Sequence, residues 1–102
     1  MWFTEHLANK IGRITTSGVV TEFSVPTEAS FPFGIDAAND GSMRFTESAG
    51  NKIGRISRAG VIRELPIPVP DSGPADIAAQ STDPVMWITL LFANKIVALT
   101  FA

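Results

Sequence analysis

The stretch MWFTEHLANKIGRI (residues 1–14) returns as MRFTESAGNKIGRI (residues 43–56) and again, eroded, as MWITLLFANKIVAL (residues 86–99). Laying residues 1–42 over residues 43–84 gives 18 identical positions of 42. The third copy begins 43 residues after the second, and the extra residue is expected around residues 81–84, where a turn absorbs an insertion easily. Self-similarity at one fixed period of this length marks a repeat architecture, in which each unit buries its faces on its neighbours.

Working outward from that block, each copy reads as short β-prone runs separated by turn chemistry, with no 3.6-period apolar run long enough for a helix. Residues 1–5 form one strand, Ala8 and Asn9 make a tight turn because Asn tolerates positive φ, and residues 10–15 return antiparallel. Gly50-Asn51 and Ala93-Asn94 repeat that turn. Ser17-Gly18 and Ala59-Gly60 supply the next hairpin, leading into residues 19–25 and 61–67. Pro26, Pro66, Pro68 and Pro70 cannot continue a ladder and mark a linker. Residues 32–38 and 74–79 complete the period, the first closed by the turn Asn39-Asp40-Gly41. Four short antiparallel strands every 40 to 45 residues, roughly, are the signature of a β-propeller blade. The fold class is therefore all-β, a propeller of four-stranded blades with about two and a half blades in this chain. A β-sandwich also spaces short strands regularly, but needs no near-identical copies at a fixed period.

Composition agrees and excludes several function classes. Apolar residues make up 45% of the 102 and charged ones 18%, too apolar for disorder, and the length leaves no room for a second core. The net charge of −2 and the scattered Lys10, Arg13, Lys52, Arg55 and Lys95 argue against nucleic acid as a partner. The most apolar stretch, residues 85–102, carries Asn94 and Lys95 near its middle and reads as two buried strands, so no membrane partner is expected. The absence of cysteine excludes disulfides and thiolate metal sites. Residues 1–5 read as a strand and not as a secretion signal, which favours a cytoplasmic location.

The string WFTExxxNKIGRI, followed by Glu22-Phe23, Pro26-Thr27, Pro32-x-Gly34-Ile35 and Asp40-Gly41, resembles the virginiamycin B lyases, also called streptogramin lyases. The resemblance covers the whole chain and is weakest in the third copy. It implies a seven-bladed propeller, antibiotic resistance, and opening of the ester-linked ring of type B streptogramins by elimination, with magnesium as cofactor. The family's strand order places residues 32–38 and 74–79 innermost. Residues 1–28 then hold blade strands two to four, residues 29–70 a full blade, and residues 71–102 strands one to three.

The lyase constellation resembles Glu-Pro-His-Gly-Ile on an innermost strand, with a second Glu at the end of the following strand binding the metal. Here the matching segment is Phe31-Pro32-Phe33-Gly34-Ile35, so Phe31 and Phe33 stand at the acidic and histidine positions as vestiges of the site. Neither can ligate a metal or move a proton. No catalytic residue is expected in this chain, and no cofactor unless the chain belongs to an active magnesium-dependent lyase. Glu47 matches the second glutamate and is the one candidate metal ligand, with Glu5 and Leu90 at the same place in the other copies. One carboxylate is too little for Mg²⁺. The plainer expectation for Glu5 and Glu47 is a repeated exposed group paired with Lys or Arg across the hairpin, worth at most about 1 kcal/mol. His6 aligns with Ser48 and Leu91 and reads as a solvent-facing loop residue.

Trp2, Trp87, Phe3 and Phe45 are expected to fill the spaces between blades. Arg44 replaces that tryptophan in the second copy, so the contact there either faces solvent or is lost. Gly12 and Gly54 mark close packing or a bulge. A linear run of blades leaves faces uncovered, and residues 86–102 are apolar, β-prone and free of proline. Self-association, or the remaining blades of a longer chain, is expected to cover them. The functional expectation is a lyase-like module that binds or scaffolds, with an active lyase fragment as the alternative; a sugar-binding small propeller is a third, weaker idea.

Overall fold

The computed structural model describes residues 1–5, 7–38, 40–79 and 85–100, with ten strands among them: β1 (Trp2–Glu5), β2 (Lys10–Ile14), β3 (Val20–Ser24), β4 (Pro32–Ala37), β5 (Met43–Glu47), β6 (Lys52–Ile56), β7 (Ile62–Pro66), β8 (Pro74–Ala78), β9 (Val85–Leu90) and β10 (Lys95–Thr100). His6, Asn39 of the expected turn, the expected insertion at 81–84 and the last two residues of the final expected strand lie outside the described residues. Within them no helix is long and apolar enough to cross a membrane.

The strands form three antiparallel sheets in the orders β1-β2-β3, β4-β5-β6-β7 and β8-β9-β10. The first two copies share one register: Glu5 pairs with Lys10 and Phe3 with Gly12, as Glu47 pairs with Lys52 and Phe45 with Gly54. Asn9, Asn51 and Asn94 take φ of 58°, 56° and 54°, the left-handed conformation the turn reading requires. The phenyl rings of Phe3 and Phe45 lie over Gly12 and Gly54, which explains both glycines: a Cβ there would occupy the space of the ring.

Two apolar cores lie between the sheets. Ile11, Val25, Phe45 and Ile56 form the one between the first and second, with Trp2, Phe23 and Ile35 at its margin. Ile53, Ile67, Ile77, Met86, Ile88 and Leu90 belong to the one between the second and third. Trp2 behaves as expected, stacking on Phe23 with ring centroids 5.8 Å apart while the Arg13 guanidinium sits 5.2 Å above the indole. Trp87 lies on the side of β9 away from the second core, with Thr89, and is 54% exposed; it is equivalent to Arg44, which meets Met86 of the following sheet. Arg44 departs from expectation. It is buried, held by Asp40 at 3.0 Å and by Ser42 at 3.2 Å, with Met86 beside it. A guanidinium can replace an indole there because Asp40, which also binds Arg55 at 3.2 Å, supplies the countercharge.

Candidate functional site

The innermost strands β4 and β8 begin at the sheet end that also carries the turns after β5 and β9. Phe31 precedes β4 with φ 56°, and its equivalent one repeat later is Gly73 with φ 59°. The chain geometry here asks for glycine, and the second copy has it. Phe31 O accepts the Ser48 N–H at 3.1 Å and Ser30 O that of Ala49 at 2.9 Å, which pins the backbone in this conformation. Pro32 then pairs with Glu47, and the ladder shifts register before Ile35. This bulge turns Phe33 outward, leaving it 57% exposed with Phe31 at 44%.

A threonine repeated in all three copies stitches the bulges together. The Thr46 hydroxyl accepts the Gly34 N–H at 2.9 Å and donates to Ala75 O of the next innermost strand at 2.8 Å. Thr4 donates to Phe33 O at 2.8 Å, and Thr89 accepts the Asp76 N–H at 2.9 Å. The Ser48 hydroxyl donates to Pro74 O, and Asp36 Oδ2 accepts the Ala79 N–H at 2.8 Å. Identity of Thr4, Thr46 and Thr89 was the available sequence signal for this seam.

Asn9 and Asn51 do more than shape turns. Asn9 Nδ2 donates to Thr27 O at 2.8 Å, and its Oδ1 accepts the Ser30 N–H at 3.1 Å and hydroxyl at 2.6 Å. Asn51 repeats this with Val69 O at 2.9 Å and Ser72 at 3.0 and 2.5 Å. Each carboxamide thus fastens the linker that leads to the next sheet. The spacing of 21 residues from Asn to Ser in both copies is visible in the sequence, but nothing in it says that the two side chains meet.

Glu47 is not the exposed partner of a hairpin lysine. Its side chain is fully buried, and burial first, then a hydrogen bond to Glu64 and repulsion by its charge, push the carboxyl up to about 9. Burial also pushes Glu64 up, but hydrogen bonds from Glu47 and Thr27 and the charge of Lys52 outweigh it, and its pKa falls below the usual value. The pair is therefore a protonated Glu47 beside an ionised Glu64, with Lys52 Nζ 3.9 Å from Glu64 and 2.9 Å from the Thr27 hydroxyl. The first copy echoes it: the hydrogen bond with Glu22, then burial, raises Glu5, and Lys10 lies 3.7 Å from Glu22. Glu47 and Glu64 together supply few of the oxygens that near-octahedral Mg²⁺ ligation wants, and the Lys52 ammonium stands in the same cluster. Phe31 and Phe33 add no oxygen from their side chains, and among the described residues no group of three or more His, Cys, Asp or Glu gathers.

The virginiamycin B lyase family model matches residues 1–102. The chain belongs to the virginiamycin B lyase family. Among solved structures, a catalytically inactive virginiamycin B lyase from Staphylococcus aureus with quinupristin is 50% identical over 97% of this chain, with a TM-score of 0.93. The selenomethionine-substituted virginiamycin B lyase from Staphylococcus aureus is 42% identical over 98% of the chain, and a streptogramin B lyase 39% identical over 99%, both with a TM-score of 0.87. The chain spans about a third of the length of these structures, 33% to 37%. No match was found among curated protein sequences. The three sheets are thus blades of a lyase-type propeller, all or part of each.

Proposed function

We propose that this segment of the virginiamycin B lyase family is catalytically incomplete and acts as a binding or scaffold unit that completes its blades by self-association. The observation that carries this reading is the pair Phe31 and Phe33: where acid–base chemistry calls for a carboxylate and an imidazole, the innermost strand offers two exposed phenyl rings. Glu47, the remaining acidic position, is buried and neutral at pH 7, so it supplies neither an open ligand nor a base to a bound molecule. The aromatic pair offers apolar contact area instead.

The test is an elimination assay of the 102-residue chain with a type B streptogramin and Mg²⁺, following the ring-opened product by mass. The expected result is no product above the uncatalysed background; ring opening by this chain overturns the reading. A second reading, part of an active magnesium-dependent streptogramin B lyase, draws support from the 50% identity combined with coverage of only a third of the relative. It predicts that activity appears when the chain is joined to the remaining blades of a lyase, and that the same fusion stays active when Phe31 and Phe33 become Ala.

A further inference from the structure

The turn between β4 and β5 holds the one Asp-Gly pair in the chain, Asp40-Gly41, and no Asn is followed by Gly. In an unfolded chain such a pair cyclises, because glycine has no Cβ to keep its nitrogen from the preceding carboxyl. The Gly41 nitrogen attacks Asp40 Cγ, an N–C bond forms, and a carboxyl oxygen leaves as water with the amide proton. Water then opens the cyclic imide at the former backbone carbonyl of Asp40, breaking the original peptide bond to Gly41. The chain now runs through Cγ as isoaspartate, with no net change in atoms.

Cyclisation needs a protonated carboxyl, freedom for it to turn onto the next amide, and an amide nitrogen able to give up its proton. The fold withholds all three. Asp40 Oδ1 accepts the Ser42 N–H at 3.0 Å and the Ser42 hydroxyl at 2.5 Å, while Oδ2 accepts Arg44 at 3.0 Å and Arg55 at 3.2 Å. The Gly41 N–H donates to Ala38 O at 3.2 Å. The hydrogen bonds from Ser42 first, then Arg55 and the charge of Arg44, hold the carboxyl well below the usual carboxylate range. Burial is not the guard, since the Asp40 side chain is 44% exposed. Nor can a larger residue at Gly41 remove the hazard: its φ is 83°, and a Cβ there would lie 2.7 Å from the Arg58 guanidinium.

We propose that Asp40-Gly41 is a latent isoaspartate site that the clamp of Ser42, Arg44 and Arg55 keeps closed, and that its conversion loosens the second sheet from the third. Arg44 is the link to that seam, because it is buried and lies beside Met86 of β9. Isomerisation moves a methylene from the side chain into the main chain and draws the carboxylate back from both guanidiniums. Arg44 then loses its Asp40 countercharge in the interior, which is the costly way to break a buried pair. The inference holds whether or not the chain catalyses, binds a ligand or self-associates.

The test ages the 102-residue chain beside a synthetic peptide of residues 36–45 at neutral pH. Isoaspartate at position 40 is read by enzymatic methyl transfer to isoaspartyl groups and by fragmentation mass spectrometry. Isomerisation of Asp40 leaves the mass unchanged, which separates it from deamidation of Asn39. Conversion is expected in the peptide and is expected to be slower by about tenfold or more in the folded chain. Arg55→Gln and Ser42→Ala, each shown to be folded by circular dichroism, are expected to speed conversion about tenfold, the gain in protonated carboxyl for one recovered pKa unit. The converted chain, separated by chromatography, is expected to unfold at lower urea concentration than the original. Equal rates in chain and peptide overturn the proposal, as do wild-type rates in the folded variants. An unchanged urea midpoint after conversion overturns the link to the seam.

Discussion

Phe31 occupies a backbone conformation that costs an L-residue with a side chain about 1–2 kcal/mol, and the next repeat solves the same corner with Gly73. Phe31→Gly is therefore expected to leave the urea midpoint unchanged or raise it by up to about 1 kcal/mol of stability, even though a phenyl ring is lost. A fall of more than that would show the ring to be a structural support. Asn51 presents the opposite case. Asn51→Gly keeps the turn but strips the linker of its carboxamide partners, and the Ser72 hydroxyl is left buried and unpaired. The expected loss is about 1–3 kcal/mol, measured by denaturant unfolding. Asn as a turn residue was legible in the sequence; Asn as a fastening was not, because its partner lies 21 residues away across a proline-bearing linker.

At the level of the strand, the Phe45 ring over Gly54 makes the β5–β6 pair intolerant of any side chain at that glycine. Gly54→Ala is expected to cost about 1–3 kcal/mol through overpacking, because Phe45 is itself fully buried and cannot swing away. The same pair of strands sets a pH dependence. Glu47 has its pKa raised from 4.5 to about 9, so the folded state binds the extra proton in that window and stability falls as pH rises through it. The slope from this one group is at most about 1.4 kcal/mol per pH unit. Glu64 and Asp40 act the other way. Their depressed values contribute stability above 4.5 and 3.8, and that contribution is lost as pH falls further. Glu47→Gln, neutral at every pH and still able to donate to Glu64, is expected to flatten the loss between pH 5 and about 9 in thermal melts. An unchanged slope would mean that Glu47 titrates normally.

Across the whole molecule the two tryptophans separate by environment. Trp2→Ala removes an indole stacked on Phe23 and capped by Arg13, and is expected to cost about 3–5 kcal/mol. Trp87 is 54% exposed on the outer face of the third blade, so Trp87→Ala is expected to change the stability of the monomer by less than about 1 kcal/mol. If the chain self-associates through that face, the same substitution lowers the apparent mass in sedimentation at micromolar concentration.

The all-β class, the repeat, the turns at Asn9, Asn51 and Asn94 and the strand boundaries to within a residue or two at most ends were determined by the sequence alone, because alternation, turn chemistry and self-similarity are local properties. The resemblance also located Phe31, Phe33 and Glu47, since a motif is read position by position. Tertiary structure alone decided what surrounds those positions. Glu47 became a buried neutral acid because the stacked sheets bury it and β7 brings Glu64 beside it, and Arg44 became interior because Asp40 and Ser42 meet it there. Burial and charge pairing depend on which distant strands come together, and that is fixed only when the sheets stack.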